Sequence, residues 1–222
     1  MKTLGGTTTR ITIGVALILV LALLVPVQAA QAATARAGTL LGQLTVATEV
    51  RTGYDRSLFP LWIDADGNGC DTRREVLIAE SQVAVTRTGT CTVTAGRWYS
   101  LYDGVTTTDP TTLDIDHMVP LAEAWDSGAR QWDTSRRRAF ANDLGIPDAL
   151  FAVTASVNRS KGDQDPAQWM PPRSAYRCDY VVAWIRVKHR WGLSVDTAER
   201  NALSQQVDAC GNPVVEVPAR VS

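Results

Sequence analysis

Leu113-Asp114-Ile115-Asp116-His117-Met118-Val119-Pro120 alternates apolar and acidic residues up to one histidine and then stops at a proline. This is the pattern of a short, half-buried strand that delivers polar groups to its own end. Roughly forty residues on, Val157-Asn158-Arg159-Ser160-Lys161-Gly162-Asp163 offers an amide, two cations and a carboxylate in close succession. A hydrophobic run between them, Ala149-Leu150-Phe151-Ala152-Val153, reads as a second strand. The two polar stretches are read as the rim of one metal site.

The order Asp-x-Asp-His-x-Val-Pro, apolar strand, Asn-Arg-x-Lys resembles the HNH, or ββα-metal, nuclease finger. The likeness is to its Asp-His type, found in the HNH domain of RNA-guided CRISPR nucleases and in the C-terminal domain of GmrSD-like restriction enzymes. It covers about residues 113–170, and the wider chain is similar to secreted actinobacterial HNH-family proteins. The resemblance implies an α+β fold in which a ββα-metal finger is embedded in a small, disulfide-stapled single domain. It further implies Asp116 and Asn158 as metal ligands, His117 as general base, and Asn158 at the start of the finger's helix. Arg159 and Lys161, beside that ligand, become candidates for phosphate contact. Asp114 lies two residues before Asp116, on the same strand face, where it would support the metal's waters or a basic side chain. Asp163 is similarly placed, with helix capping an equal alternative.

The chemistry suits these residue types. Phosphodiester hydrolysis needs a base to take a proton from water, a cation to offset charge on the phosphate and leaving oxygen, and groups to hold the phosphate in line. Imidazole is largely neutral yet basic near pH 7. Carboxylate and amide oxygens are hard ligands that suit magnesium, manganese or calcium and not a thiolate-loving metal, with magnesium or manganese first. The expected substrate is nucleic acid, DNA first and RNA second, and the protein is expected to act as a monomer; the resemblance implies 5′-phosphate and 3′-hydroxyl products.

Two features depart from the finger pattern. In a regular strand Asp116 and His117 point to opposite faces, so both reach one site only if the strand bends or ends there. The middle asparagine that normally orients the base is also displaced: the place before the second strand reads Pro147-Asp148-Ala149, with Asn142 further upstream.

Residues 1–32 read as a signal peptide, because Lys2 and Arg10 precede an apolar run, Ile11 to Val27, that ends in small residues around Ala30-Gln31-Ala32. The expected product is secreted, with no membrane association after cleavage. A linker at 33–38 then leads into a domain over 39–215. Export makes Cys70, Cys91, Cys178 and Cys210 most simply two disulfides, with Cys70–Cys91 and Cys178–Cys210 favoured because each pair lies within one local block. The chain has 22 basic and 23 acidic residues, and losing Lys2 and Arg10 leaves 20 against 23. Such a protein does not coat nucleic acid by bulk charge. Its basic residues nevertheless cluster after the Asp-His strand, as Arg136-Arg137-Arg138, Arg173 with Arg177, and Arg186-Lys188-Arg190, which suggests a local basic face.

Asp64-Ala65-Asp66-Gly67-Asn68-Gly69, with Glu75 at the twelfth position, matches the calcium-loop pattern, although Cys70 and Asp71 at the seventh and eighth positions depart from it. A glycine-rich turn is the competing reading. Arg73 and Arg74 are read either as phosphate contacts or as ion-pair partners of Glu75 or Glu80. Further on, Asp165-Pro166 reads as a helix start, Tyr176, Tyr180, Trp184 and Trp191 as a core stripe, Asp196-Thr197-Ala198-Glu199 as a capping box, and His189 as a solvated residue. The alternative to a nuclease is a secreted, calcium-stabilised binding protein that keeps an HNH-like scaffold without cutting.

Overall fold

The computed structural model describes residues 1–3, 5–6 and 33–221. The expected signal peptide lies almost wholly outside the described residues, and among these no helix is long and apolar enough to cross a membrane. In chain order the elements are β1 (Thr34–Arg36), α1 (Ala37–Gly42), α2 (Thr72–Glu80), β2 (Thr86–Thr88), β3 (Thr92–Ala95), β4 (Trp98–Tyr99), β5 (Thr106–Thr107), β6 (Leu113–His117), α3 (Leu121–Asp126), α4 (Thr134–Ala141), β7 (Leu150–Thr154), α5 (Ala155–Lys161), α6 (Arg177–Trp191), α7 (Thr197–Ala209) and β8 (Val214–Glu216).

Each strand pairs with one other, antiparallel: β1 with β8, β2 with β3, β4 with β5 and β6 with β7. The expected linker is ordered, since Thr34 to Arg36 register against Glu216 to Val214 and so join the two ends of the domain. Polar side chains start the helices as their sequences predict. Asp71, Asp133, Thr154 and Asp196 each accept a bond from a first-turn backbone N–H, and the Asp196–Glu199 capping box closes reciprocally. The helix expected after Asp165 is only a single turn. Asp165 caps it through Ala167 N–H, but Pro171 and Pro172 follow at once and cannot continue a helix.

The core surrounds α6, whose Tyr180, Trp184 and Trp191 are buried together with Trp98 and Tyr102. Every buried indole N–H in this group has an acceptor: Trp98 donates to Leu77 O, Trp184 to Glu199 and Trp191 to Asp143. The aromatic stripe is therefore core. Lys188, also on α6, is fully buried and donates to Glu123, Ser127, Ser194 O and Glu199, tying α3 and α7 to α6. His189 is not solvated as expected; it is 4% exposed, with Nε2 at 3.0 Å from Gln43 Oε1. The disulfides are Cys70–Cys91 and Cys178–Cys210, the favoured pairing; the second joins the start of α6 to the end of α7.

The antiparallel pair β6–β7 runs directly into α5, with Leu113 opposite Thr154 and His117 opposite Leu150. All five residues of β7 are buried, and Glu80 of α2 accepts the Ala152 N–H at 2.8 Å, covering that strand's edge. Thr154 ends the strand and caps α5, so strand and helix are rigidly coupled. That coupling sets Asn158 and Lys161, one helical turn apart, beside the end of β6.

Candidate active site

A cleft of about 220 Å³ opens where β6 ends, lined by Arg56, Asp116, His117, Asn158, Arg159 and Asp163 over a floor that includes Ile115, Pro120 and Leu121. Asp116 and His117 both reach it although they are strand neighbours. β6 ends at His117 with one further rung, Met118 N–H to Ala149 O, and Pro120 then turns the chain away into α3. Larger concavities lie elsewhere, one of about 440 Å³ beside Trp191 and one of about 460 Å³ beside Glu49, but neither contains His117.

His117 is 6% exposed and held on several sides. Its ring is flanked by the near-parallel rings of Trp62, at 5.7 Å, and Phe140, at 6.4 Å. Nε2 lies 2.9 Å from the backbone oxygen of Ala141. A carbonyl only accepts, so in the neutral ring Nε2 carries the proton and Nδ1 keeps the lone pair. Burial, opposed by the Ala141 bond and the Asp116 charge, lowers the ring's pKa to about 4, and Arg56 and Lys161 push the same way as burial. The imidazole is therefore neutral near pH 7, with Nδ1 as its basic atom.

Asn142, the residue after that carbonyl, is the asparagine that lies upstream of the second strand. It caps α4, and its side chain donates to Pro60 O and Arg138 O while accepting from Ile63 N–H and Thr72 Oγ1. One amide thus fixes the end of α4, and with it the Ala141 carbonyl, against the Pro60–Ile63 segment. Nothing in the local pattern around Pro147 signals this, because the segments it joins are distant in sequence.

Asp116 is buried beneath the cleft. Its Oδ2 accepts from Lys161 Nζ at 2.6 Å and from Tyr102 Oη at 2.6 Å, leaving Oδ1 for the cleft. Burial, reinforced by Asp116, raises the Tyr102 pKa far above its usual value, so the phenol stays protonated and donates. Lys161 was expected to meet phosphate, but it is fully buried and donates to Asp116 and to His117 O, at 2.7 Å. Its ammonium positions the two residues at the strand end. Asp114 accepts from Asn158 Nδ2 at 3.1 Å. Since a carboxylate can only accept, the amide nitrogen must face Asp114, and the amide oxygen is thereby turned away from it.

Among the described residues, the exposed cations that line the cleft are Arg159 and Arg56. Arg56 was not anticipated; it stands on a 3₁₀ turn, Arg56–Leu58, capped by Asp55, and only the fold brings it across from Asn158. Arg73 and Arg74 lie outside the cleft: Arg73 donates to Leu113 O and Arg74 pairs with Asp71. Asp163, at the cleft margin, pairs with Arg51 at 3.4 Å. The expected basic face is largely internal, with Arg186 paired to Asp148, Arg190 to Asp143, and Arg137 and Lys188 buried.

Two other sets of oxygen ligands lie away from this cleft. Around the loop 64–75, Asn68 Nδ2 donates to Asp66 and Glu75, while Asp64 accepts from the Asn68 and Gly69 N–H groups. Glu49, Glu123 and Asp126 come close enough to share a cation. Two of these are already compensated, Asp126 by Arg51 and Glu123 by Lys188. Burial, then the charges of Glu123 and Asp196, raise Glu49 to about 8, so it holds a proton near pH 7.

A disulfide-stapled mixed α/β domain with a histidine and two oxygen donors at the mouth of a strand pair is the class that fold and site define. The chain belongs to the family described as GmrSD restriction endonucleases, C-terminal domain, which matches residues 71–206. That places it in relation to the HNH endonucleases. It is also similar to an uncharacterized secreted protein of Arthroderma benhamiae, 47% identical over 175 residues that cover 78% of this chain and 84% of the relative. No solved structure matches.

Proposed function

We propose that the protein is a secreted, metal-dependent endonuclease that hydrolyses phosphodiester bonds in DNA, built on a ββα-metal finger formed by β6, β7 and α5. The observation that carries this reading is the Nε2 bond to Ala141 O, which leaves the Nδ1 lone pair of a neutral His117 as the basic atom in a cleft shared with Asp116 and Asn158. The donor set fits a hard divalent ion, magnesium or manganese: Asp116 has Oδ1 free of its two internal bonds, and Asn158 has its oxygen freed by Asp114. Bound there, the ion would offset charge on the phosphate and the leaving oxygen.

The chain's own groups do the rest. His117 Nδ1 takes the proton of the attacking water, Lys161 and Tyr102 hold Asp116 in place, and Arg56 and Arg159 take the non-bridging phosphate oxygens. The two arginines contact backbone and not base edges, so cutting is not sequence-selective. Secretion is supported by the two disulfides and by the relative's name. A structural calcium ion at Asp64, Asp66, Asn68 and Glu75 belongs to the same proposal, and filling it requires the Asn68 amide to turn its oxygen inward. A calcium-dependent rise in Tm, lost in Asp64→Ala, tests that ion.

Plasmid DNA and single-stranded RNA, each incubated with the protein and magnesium or manganese, test the activity. Nicking of the plasmid that stops with chelator is expected. DNA binding with no cutting under any of these metals would make the protein a binding module on the same scaffold.

A further inference from the structure

Trp62 has φ 53, one of two positive φ values at non-glycine positions among the described residues. A bulky aromatic side chain rarely adopts this backbone conformation, and such strain persists only where surrounding contacts over-determine it. Here they do. The Asn142 side chain donates to Pro60 O at 2.7 Å and accepts from Ile63 N–H at 3.1 Å, so it brackets Trp62 from both sides. Ile63 O in turn accepts from Thr72 N–H and Thr72 Oγ1. Burial alone is a poor reason for this arrangement, because Trp62 is only half-buried. The arrangement does place the indole 5.7 Å from the His117 ring, at an interplanar angle of 25°. Trp62 also precedes the family-matched residues 71–206 and stands on the same leading segment as Arg56.

We propose that Trp62 is a positioning residue for His117: its indole, locked in a strained turn by Asn142, fixes the rotation of the imidazole so that Nε2 stays on Ala141 and Nδ1 faces the cleft. A ring free to rotate about its χ angles would spend much of its time with Nδ1 misdirected, and misplacement on this scale is enough to cost a proton transfer. The same amide anchors both restraints, since Asn142 adjoins the carbonyl that holds Nε2 and brackets the residue that stacks on the ring. The leading segment thus completes a site whose ligands and base all lie within the matched region.

The inference rests on the reading of His117 as the base, and the test separates the two. The sequence contains only two histidines, His117 and His189, so ring resonances can be assigned with His117→Ala. The variants are Trp62→Phe, Trp62→Leu and, should the leucine variant fail to fold, Trp62→Gly, which removes the ring while suiting the positive φ. Loss of the indole is expected to change the His117 ring-nitrogen shifts that report which nitrogen carries the proton, while leaving those of His189 in place; ring-proton shifts move with the loss of the indole's ring current alone and are not the readout. It is also expected to lower kcat for plasmid nicking by about tenfold to a hundredfold with KM nearly unchanged. The phenylalanine variant should recover most of that loss. An unchanged His117 ring-nitrogen pattern in a folded Trp62→Leu or Trp62→Gly protein overturns the inference, as does an unchanged kcat. If instead His117→Ala nicks DNA as fast as the wild type, the base assignment itself has failed.

Discussion

Lys161 and Asp116 form an ion pair at 2.6 Å in which the lysine side chain is wholly buried and the aspartate is 7% exposed. Burial pulls the lysine's pKa below its ordinary value, and the aspartate pulls it back up. Removing one member of such a pair leaves the other charged and buried, a loss on the order of 3–5 kcal/mol. Lys161→Met should therefore destabilise the domain by roughly that amount in a urea titration. Tyr102→Phe, which deletes one bond to the same carboxylate, should cost about 1.5–3 kcal/mol. An effect of Lys161→Met below about 1 kcal/mol, the size expected of a surface cation, would return the residue to phosphate contact.

Asp114 should matter through Asn158. Asp114→Ala releases the amide to rotate, and supporting groups of this kind commonly cost 10- to 100-fold in metal affinity. Calorimetry with manganese is expected to show a loss of about that size, with little change in Tm, because Asp114 is only partly buried. Equal manganese affinity in the two proteins would mean that Asn158 is not oriented by Asp114.

Arg56 and Arg159 should affect substrate binding, and Arg73 and Arg74 should not. Arg56→Ala and Arg159→Ala are each expected to raise KM severalfold and to flatten the salt dependence of DNA binding, since each removes one phosphate contact. Arg73→Ala should instead cost stability through its lost bond to Leu113 O. A larger KM effect at Arg73 than at Arg56 would move the substrate path away from the cleft.

Stability should fall on both sides of neutrality, for opposite reasons. Burial depresses His117 to about 4 from 6.5. The folded state thus resists protonation, and His117's contribution is present above pH 6.5 and lost as pH falls toward 4. Burial, offset in part by the Ala152 N–H bond, raises Glu80 to about 7 from 4.5. The folded state binds that proton more tightly, so Glu80's contribution is present below pH 4.5 and is lost as pH rises through 7. Either shift amounts to a few kcal/mol at most, on the order of 3. Glu80→Gln keeps an acceptor for Ala152 N–H and should flatten the alkaline limb of a Tm-against-pH curve, leaving the acid limb intact. An unchanged alkaline limb would exclude Glu80 as its source.

Much of the framework was legible because it depends on local pattern. The alternation ending at Pro120, the apolar run before Asn158, the Asp196–Glu199 capping box and the block-wise cysteine pairs each rest on short-range physics, and the structure contains all of them. Burial of charge was not legible. Lys161, Lys188 and Arg137 read as basic surface in a linear sequence, yet each is inside because a specific acceptor, hundreds of ångströms of extended chain away in some cases, meets it there. Contributions from the leading segment were also invisible, since neither Arg56 nor Trp62 carries any local mark of a cleft. The calcium-like loop shows the reverse limit: its ligand spacing is in the sequence, but the direction of the Asn68 amide is not.

The most direct test of the central claim is a crystal soaked in manganese and measured for anomalous scattering. An ion directly coordinated by Asp116 Oδ1 and Asn158 Oδ1, with His117 Nδ1 facing the adjoining cleft, is the expected result. Manganese found only at Asp64–Glu75 or at Glu49, Glu123 and Asp126, with the cleft empty, would contradict it.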